Sequence, residues 1–219
     1  KETLDYFRKQ DVQIKIISGD DPSTVSAIAR RCHLLDYEKY IDVSSLSDEE
    51  IKEAVEKYTI FGRVSPQQKK LMVTTLQEND HTVAMTGDGV NDVLALKAAD
   101  CSIAMASGSD AAKSASHIVL LENNFNAMPH IVNEGRRVIN NITASASMYL
   151  IKTIFSVVLS IGMILFGHGY PFKPIQLTVI SACCVGIPTF FLTYEPNFKR
   201  VSGNFLKTVF KNALLVTPE

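Results

Sequence analysis

The sequence predicts an α/β fold, with a parallel sheet covered by helices on both faces, followed by a transmembrane α-helical hairpin. Two observations carry this prediction. Over the first two thirds of the 219-residue chain, short apolar runs alternate with helical patterns, as they do in parallel sheets whose crossover helices cover both faces. Beyond residue 147, the pattern changes to two long apolar runs that together hold one charged residue.

The elements of the α/β part follow one another in a regular order. Apolar runs typical of buried strands occur in VQIKIISGD, YTIFGRV, HTVAMTGDG, CSIAM and HIVLL. Helical spacing of apolar residues occurs in PSTVSAIARRC, DEEIKEAVEKY, SPQQKKLMVTTLQEN and NDVLALKAA. Ser47 and Glu50 predict a capping box, and Pro66 is predicted just inside the start of its helix, where its missing N–H costs nothing.

Two polar triplets follow predicted strands directly. They are Ser18-Gly19-Asp20 and Thr86-Gly87-Asp88. Ligand sites in parallel α/β sheets lie at the carboxyl ends of strands. We therefore expect the functional site where these two triplets occur.

The two apolar runs, 148–167 and 174–193, are each 20 residues long. At about 1.5 Å per residue, each spans roughly 30 Å, the thickness of a bilayer core. Arg136 and Arg137 precede the first run, and Lys199 and Arg200 follow the second. Basic flanks predict that both outer ends, and with them the α/β part, lie in the cytoplasm. The alternative is two buried core helices of a soluble protein.

Charge and cysteine content narrow the class of protein. The formal net charge is −1, so nothing in the overall charge indicates a nucleic-acid partner. The four cysteines are Cys32, Cys101, Cys183 and Cys184, and they form no CxxC pair. We interpret them as reduced thiols rather than as a secreted disulfide framework.

Asp88 and Asp92 lie four residues apart, and two carboxylates this close repel each other unless a cation stabilises them. Mg²⁺ prefers oxygen ligands and retains several waters, so one carboxylate can bind it and the second can organise the loop. Gly87 and Gly89 allow close approach of the backbone to a ligand. Asn91 can offer its amide to a phosphate.

A second group of residues is suited to phosphate. Ser18 and Gly19 can provide a hydroxyl and an N–H, while Arg63 and Lys69 add positive charge near the start of a helix. Each residue also has a simpler interpretation. Lys69 could be a solvated helix lysine, and Asp20 could form an Asx turn before Pro22. The combination favours phosphoryl chemistry.

Three stretches together resemble the signatures of the P-type ATPases, ion pumps whose phosphorylation domain has the haloacid-dehalogenase-like fold. They are ISGDDPSTVSAIA, GRVSPQQK and MTGDGVNDVLALKAADCSIAM. The resemblance continues through KSASHIVLLENNF, the stalk GRRVINNI, and the hairpin with PIQL, GIP and EPN. It covers essentially the whole chain.

The resemblance implies a role for each matched residue. Those that match nucleotide- or phosphate-binding positions are Ser18, Gly19, Asp20, Arg63, Lys69 and Asn91, with Ser18 where the family usually has threonine. Lys69 matches the lysine that steadies the phosphoryl group. Asp88 matches the Mg²⁺ ligand, and Asp92 matches its partner in the acidic loop. The implied cofactor is Mg²⁺, and the implied substrate is ATP.

Two family motifs have no counterpart in the sequence, the phosphorylated D-K-T-G-T and the dephosphorylating T-G-E-S. We therefore expect a piece of a longer protein, whose actuator and nucleotide-binding domains and other membrane helices would be partners of this chain. The implied domains are a partial phosphorylation domain (1–125), a stalk helix (126–147), the fifth and sixth membrane helices (148–194) and a cytoplasmic segment (195–219).

The hairpin is expected to contain part of the ion site. A gap-free match of KPIQL and GIP to the family sets the register of the two spans. In this register, the positions at which calcium pumps have ion ligands hold Thr153, Ser156, Ser181, Cys184 and Val185. None is a carboxylate, which argues against calcium transport of the usual kind. The adjacent cysteines could indicate a soft metal, but we favour small buried cysteines in a packed helix. Pro188 is expected to kink the second span and free a carbonyl.

Lys152 is the one charged residue in either span. An intramembrane charge is costly, so its default interpretation is functional. It lies beside Thr153, at the edge of the expected ion site, and proton–potassium pumps have a lysine at this place. The alternative is a side chain that extends to the cytoplasmic headgroups.

The sequence thus predicts a fragment of an ATP-driven cation pump, an integral protein of the cell membrane with its phosphorylation domain in the cytoplasm. The rival functions are a soluble phosphatase of the same fold and a non-catalytic membrane protein with a decayed domain. A soluble phosphatase would need a nucleophilic aspartate, which is missing from this sequence, and it would have no use for the hairpin. The second would not need Lys69, Asp88 and Asn91 together.

Overall fold

A computed structural model describes residues 2–167, 169–201 and 203–215. The chain divides into two compact units between Pro129 and His130. The first unit contains the α/β part, and the second contains the apolar helices.

The helices and strands of the first unit alternate along the chain. They are α1 (Glu2–Lys9), β1 (Ile16–Ile17), α2 (Pro22–Arg31), β2 (Tyr40–Asp42), α3 (Asp48–Lys57), β3 (Ile60–Gly62), α4 (Pro66–Glu78), β4 (Ala84–Gly87), α5 (Val93–Ala98), β5 (Cys101–Met105), α6 (Asp110–Ala115) and β6 (Ile118–Leu120). Short 3₁₀ turns occur at Val90–Asp92 and Phe125–Ala127.

Among the described residues, the strand pairs are parallel, as the alternation predicts, but the strands form two sheets of three rather than one sheet. The orders are β1-β3-β2 and β4-β5-β6. In register, Ile16 pairs with Ile60, and Met85 pairs with Ser102. The strands β1 and β4, at whose carboxyl ends the two polar triplets lie, are therefore both edge strands.

The core of this unit comes from the apolar runs that the sequence identifies as strands and helices. Ile60 and Phe61 of β3 are fully buried, and Phe61 packs in one cluster with Val55 of α3 and Met72 of α4. A second cluster packs Leu96 of α5 near β4. This packing fixes the strands whose ends carry the polar triplets.

The predicted helix starts are confirmed. Ser47 and Glu50 form the expected capping box at α3. Pro66 is the first residue of α4, and Ser65 caps that helix by accepting a hydrogen bond from the Gln68 N–H. Helix α4 therefore begins at a fixed position, which in turn fixes Lys69 in its first turn.

The second unit contains long apolar helices. Helix α7 (Met128–Leu165) is continuous over 38 residues. It is followed by α8 (Pro174–Ser181), a π-helical turn (Ala182–Gly186), α9 (Ile187–Leu192) and α10 (Phe205–Leu215).

Two stretches are long and apolar enough to span a membrane, Phe125–Leu165 and Pro174–Leu192, with mean hydropathies of 2.0 and 1.9. Only 0% and 6% of their most apolar windows are buried. The alternative of two buried core helices does not fit this exposure.

The second span is irregular where Pro188 predicts a kink. In the π-helical turn, the Ile187 N–H donates to the Ala182 carbonyl, five residues back. A proline has no N–H to continue the regular pattern, which accounts for an irregularity at this place. Cys183 and Cys184 are exposed, so the expectation of small buried cysteines is wrong for the described chain. They do not form a disulfide.

Candidate functional site

The loop after β1 is joined to the loop after β3 by main-chain hydrogen bonds. The Val64 N–H donates to the Ser18 carbonyl at 3.0 Å, and the Arg63 N–H donates to the Asp20 carbonyl at 2.8 Å. Arg63 has a φ of 56°, in the left-handed region that non-glycine residues seldom adopt. These contacts hold the start of α4 beside the first polar triplet.

Lys69 and Asp92 form a buried ion pair. The Lys69 Nζ lies 2.7 Å from the Asp92 Oδ1, and each side chain is 11% exposed. The second Asp92 oxygen accepts a hydrogen bond from the Gly89 N–H at 3.2 Å. The interpretation of Lys69 as a solvated helix lysine is therefore wrong. The repulsion expected between Asp88 and Asp92 is reduced, because a lysine neutralises one of them.

Two glycines, Gly87 at the end of β4 and Gly108 after β5, permit close packing around Asp88 and Asp92. A Cβ on Gly87 would lie 2.6 Å from the Asp92 Cβ, closer than real Cβ atoms come to a neighbour. A Cβ on Gly108 would lie 2.8 Å from the Asp88 carbonyl oxygen. The Ser109 N–H donates to that same oxygen at 2.8 Å. The main chain of Asp88 is thus held against Gly108 and Ser109.

The carboxylate of Asp88, in contrast, is exposed, and it has no hydrogen bond or ion pair within the part of the chain that the structure describes. No cluster of three or more metal-binding side chains occurs among those residues either. One free carboxylate on a fixed backbone fits Mg²⁺, which takes one or two protein ligands and completes its shell with water and phosphate oxygens. Asn91 is exposed on the same loop.

The first triplet forms its own small network. The Ser18 Oγ donates to the Asp20 Oδ2 at 3.3 Å and accepts from the Asp20 N–H at 3.2 Å. The carboxylate that caps α2 before Pro22 is that of Asp21, which accepts from the Ser23 N–H at 3.0 Å. The side chain that accepts a main-chain hydrogen bond at the start of α2 is therefore that of Asp21, not that of Asp20.

Arg63 points to two carboxylates that sequence reasoning missed. Its guanidinium lies 2.8 Å from Asp21 and 2.9 Å from Asp42. Hydrogen bonds from Ser23 to Asp21, and from Ser44 to Asp42, hold the pKa of each carboxyl below its usual value, and Arg63 lowers both further. Asp21 carries a readable signal, an acidic residue just before a helix-starting proline. Asp42 carries none.

The residues predicted for the cation site lie on two helical segments, α7 and the second span. Lys152, Thr153 and Ser156 of α7 line one shallow groove of about 430 Å³, together with Val157, Ser160 and Ile161. Ser181 and Cys184, on the second span, are not among the lining residues. The Thr153 hydroxyl donates to the Tyr149 carbonyl at 2.9 Å, and the Ser181 hydroxyl donates to the Leu177 carbonyl at 2.6 Å. Each hydroxyl oxygen retains lone pairs for a cation.

Comparison with known proteins tests the family resemblance that the sequence motifs indicate. The model of the haloacid dehalogenase-like hydrolases matches residues 1–100. The chain is 51% identical over 221 residues to a probable cation-transporting ATPase, exp7, of Streptococcus pneumoniae, a match that covers 97% of the chain. It is 44% identical over 229 residues to the calcium-transporting ATPase CtpE of Mycobacterium tuberculosis, a match that covers 98% of the chain.

The chain belongs to the P-type cation-transporting ATPases. It spans 28% of the length of each of these two relatives. The solved structure of a zinc-transporting PIB-type ATPase matches 88% of this chain with a TM-score of 0.62 at 24% identity, over 26% of that structure's own chain. This likeness agrees with the fold of parallel sheets followed by apolar helices.

Proposed function

We propose that this ATPase chain supplies part of the site at which ATP phosphorylates an aspartate, and part of the path of the transported cation. The observation that carries the proposal is the exposed Asp88, whose carboxylate has no partner among the described residues, near the buried Lys69–Asp92 pair. A free carboxylate and a fixed ammonium group are what a Mg²⁺-assisted phosphoryl transfer requires.

Asp88 would bind Mg²⁺, and Lys69 would stabilise the negative charge on the phosphoryl oxygens. Each Asp92 oxygen accepts one hydrogen bond, one from Lys69 and the other from the Gly89 N–H. Its role in the proposal is to hold Lys69 and the loop in place. Ser18, Gly19, Asp20 and Asn91 would contact the phosphate or the nucleotide.

The acceptor aspartate would come from a strand outside this chain. Both β1 and β4 are edge strands, and each pairs on one side only within the described residues. A parallel strand that paired with both free edges would end between the loops of Ser18 and Asp88. This arrangement supports an acceptor at the carboxyl end of such a strand, between the phosphate-binding groups and the Mg²⁺ ligand.

The first cation to test is Ca²⁺, because the mycobacterial relative is named a calcium-transporting ATPase. Thr153, Ser156, Ser181 and Cys184 would contribute neutral ligands. Because none of them is charged, any carboxylate ligand would have to come from other membrane helices. The proposed location is the cell membrane, with the α/β unit in the cytoplasm.

The test uses the longer ATPase that contains this chain, in purified membranes with labelled ATP and Mg²⁺. We expect Ca²⁺-dependent formation of an acid-stable phosphoenzyme in the parent protein. Asp88→Asn should abolish it. Lys70→Ala is a control for a charge change outside the site, since Lys70 is exposed. Parent-level labelling of Asp88→Asn would refute the proposed site, and solubility of the longer protein without detergent would favour the rival soluble phosphatase.

A further inference from the structure

Arg63 is held by two carboxylates that contact it in the same way. Its Nη1 donates to the Asp42 Oδ2 at 2.9 Å, and its Nη2 donates to the Asp21 Oδ2 at 2.8 Å. The Arg63 side chain is 53% exposed, while those of Asp42 and Asp21 are 36% and 42% exposed. We call these three residues the arginine clamp.

Each carboxylate of the arginine clamp is itself fixed by a serine two residues further along the chain. The Asp42 Oδ1 accepts from the Ser44 N–H at 2.9 Å and from the Ser44 hydroxyl at 2.7 Å. The Asp21 Oδ1 accepts from the Ser23 N–H at 3.0 Å and from the Ser23 hydroxyl at 2.6 Å. In both residues, one oxygen binds the serine and the other binds Arg63. The orientation of each carboxylate is therefore set by its own turn.

The main chain of Arg63 is fixed as well. Its N–H donates to the Asp20 carbonyl at 2.8 Å, and its φ of 56° lies in the left-handed region, which costs a non-glycine residue conformational energy. Asp42, the last residue of β2, pairs with Gly62, the residue before Arg63. The fold thus determines both where Arg63 leaves the main chain and where its guanidinium ends.

The stability of the fold does not by itself account for the arginine clamp. Exposed ion pairs contribute little to folding, because water and salt screen their charges. Non-glycine residues in the left-handed region occur preferentially at functional sites, where the surrounding structure holds them in place. An exposed arginine that is fixed at its main chain and at both terminal nitrogens is therefore suited to contact a ligand.

Arg63 retains donors for such a ligand. A guanidinium has five N–H donors, and the bonds to the two carboxylates use two of them. The residue lies beside the first polar triplet, because the neighbouring Val64 N–H donates to the Ser18 carbonyl at 3.0 Å. Guanidinium groups bind phosphate oxygens through geometrically specific hydrogen bonds, so the direction in which the remaining donors point decides how well they bind.

We propose that Asp21 and Asp42 are positioning residues that orient Arg63 toward the ATP of the candidate site. The proposal rests on the proposed function, since ATP is the ligand that Arg63 would contact. Neither carboxylate contacts ATP in this proposal, and each acts through Arg63. Loss of one should therefore weaken the binding of ATP and spare phosphorylation at saturating ATP. Asp42 gives the cleaner test, because Asp21 also caps α2.

The first experiment measures the ATP concentration that gives half-maximal acid-stable phosphoenzyme in the longer ATPase. Arg63→Ala should raise this concentration about tenfold, the effect of losing a hydrogen bond to a charged group. Asp42→Asn should raise it about threefold, with parent-level phosphoenzyme at saturating ATP. Asp42→Glu, which restores the carboxylate, should recover part of the loss. Asp36→Asn is the control, because Asp36 is an exposed carboxylate outside the arginine clamp.

A variant that changes no charge separates positioning from electrostatics. Ser44→Ala removes the hydroxyl that donates to the Asp42 Oδ1, and we expect it to raise the half-maximal ATP concentration as Asp42→Asn does, by a smaller factor. Ser45→Ala is the matched control, since Ser45 is the next residue and is also exposed. The inference is overturned if Ser44→Ala behaves as Ser45→Ala does. It is also overturned if the half-maximal concentration falls in Asp42→Asn, because the carboxylate would then only repel ATP.

A double-mutant cycle tests whether Asp42 acts through Arg63. In an Arg63→Ala background, Asp42→Asn should cause no further rise in the half-maximal ATP concentration. A further rise by the same factor as in the parent would overturn the inference. A parent protein that forms no phosphoenzyme would contradict the proposed function. A phosphorylated parent whose ATP dependence is unchanged by Arg63→Ala would overturn the role of the arginine clamp alone.

Discussion

The Lys69–Asp92 ion pair joins residues 23 positions apart, with both side chains buried. Removal of one partner from a buried pair leaves an uncompensated charge, which costs about 3–5 kcal/mol, whereas removal of both can cost little. We predict that Lys69→Met and Asp92→Leu each destabilise the protein, and that the double variant is more stable than the sum of the single changes implies. Thermal unfolding of the three variants checks this, and simple additivity would contradict it.

The two carboxylates beside Arg63 predict a dependence of stability on pH. Hydrogen bonds from Ser23 and Ser44 lower the pKa of Asp21 and Asp42 in the folded protein. A lowered folded-state pKa means that the stabilisation is present above the unfolded value of about 3.9 and is lost as pH falls through the lower folded value.

We therefore predict that unfolding midpoints of the parent fall as pH drops from about 5 to 3. The fall should be smaller in the double variant Asp21→Asn, Asp42→Asn. Asp36→Asn is the control, because Asp36 is an exposed carboxylate outside this cluster. Equal slopes in the parent and the double variant would argue against a contribution from this cluster.

At the residue scale, the sequence identified the residues of the candidate site but not the ion pairs that they form. Asp88 and Lys69 could be predicted because each stands at a recognisable position, after a strand or at the start of a helix. The ion pair of Lys69 with Asp92 depends on how α4 packs near the loop after β4, which no local pattern records. The same holds for Asp42, which reaches Arg63 only because β2 and β3 are neighbours in one sheet.

At the scale of elements, α2 packs against β3 at a glycine. A Cβ on Gly62 would lie 2.4 Å from the Pro22 Cδ. We predict that Gly62→Ala destabilises the protein by about 1–3 kcal/mol, as overpacking does. Gly135→Ala is the matched control, since Gly135 lies in α7 with no atom within 4 Å of an added Cβ. Unfolding in urea measures both, and a neutral Gly62→Ala would show that α2 can shift freely.

Elements with strong local signals could be predicted, and those defined by tertiary contacts could not. The capping box of α3, Pro66 at the start of α4 and the two long apolar runs all depend on neighbouring residues. Strand β2 has three residues, none of them fully buried, so it lacks the apolar run that identifies a strand. The division into two sheets depends on which strands pair with each other, and the pattern of residues within a strand does not identify the strand that pairs with it.

At the scale of the whole molecule, Lys152 is the residue whose role depends most on the complete pump. It lines the α7 groove beside Thr153 and Ser156. We predict that Lys152→Met in the longer ATPase, at matched expression, makes ATP hydrolysis independent of the cation or strongly shifts the cation affinity. Lys152→Arg tests whether a positive charge at this position is sufficient to preserve the cation dependence of ATP hydrolysis. Unchanged cation dependence in Lys152→Met would indicate that the lysine only extends to the headgroups.

The central claim is that this chain holds the Mg²⁺ ligand and the phosphate-binding lysine of a site whose acceptor aspartate lies outside it. Formation of the acid-stable phosphoenzyme tests the claim most directly, with labelled ATP and Mg²⁺ supplied to the longer ATPase and to residues 1–219 alone. The account predicts label in the longer protein, on an aspartate outside this chain, and none in Asp88→Asn or in the chain alone. Acid-stable label on residues 1–219 by themselves would contradict it.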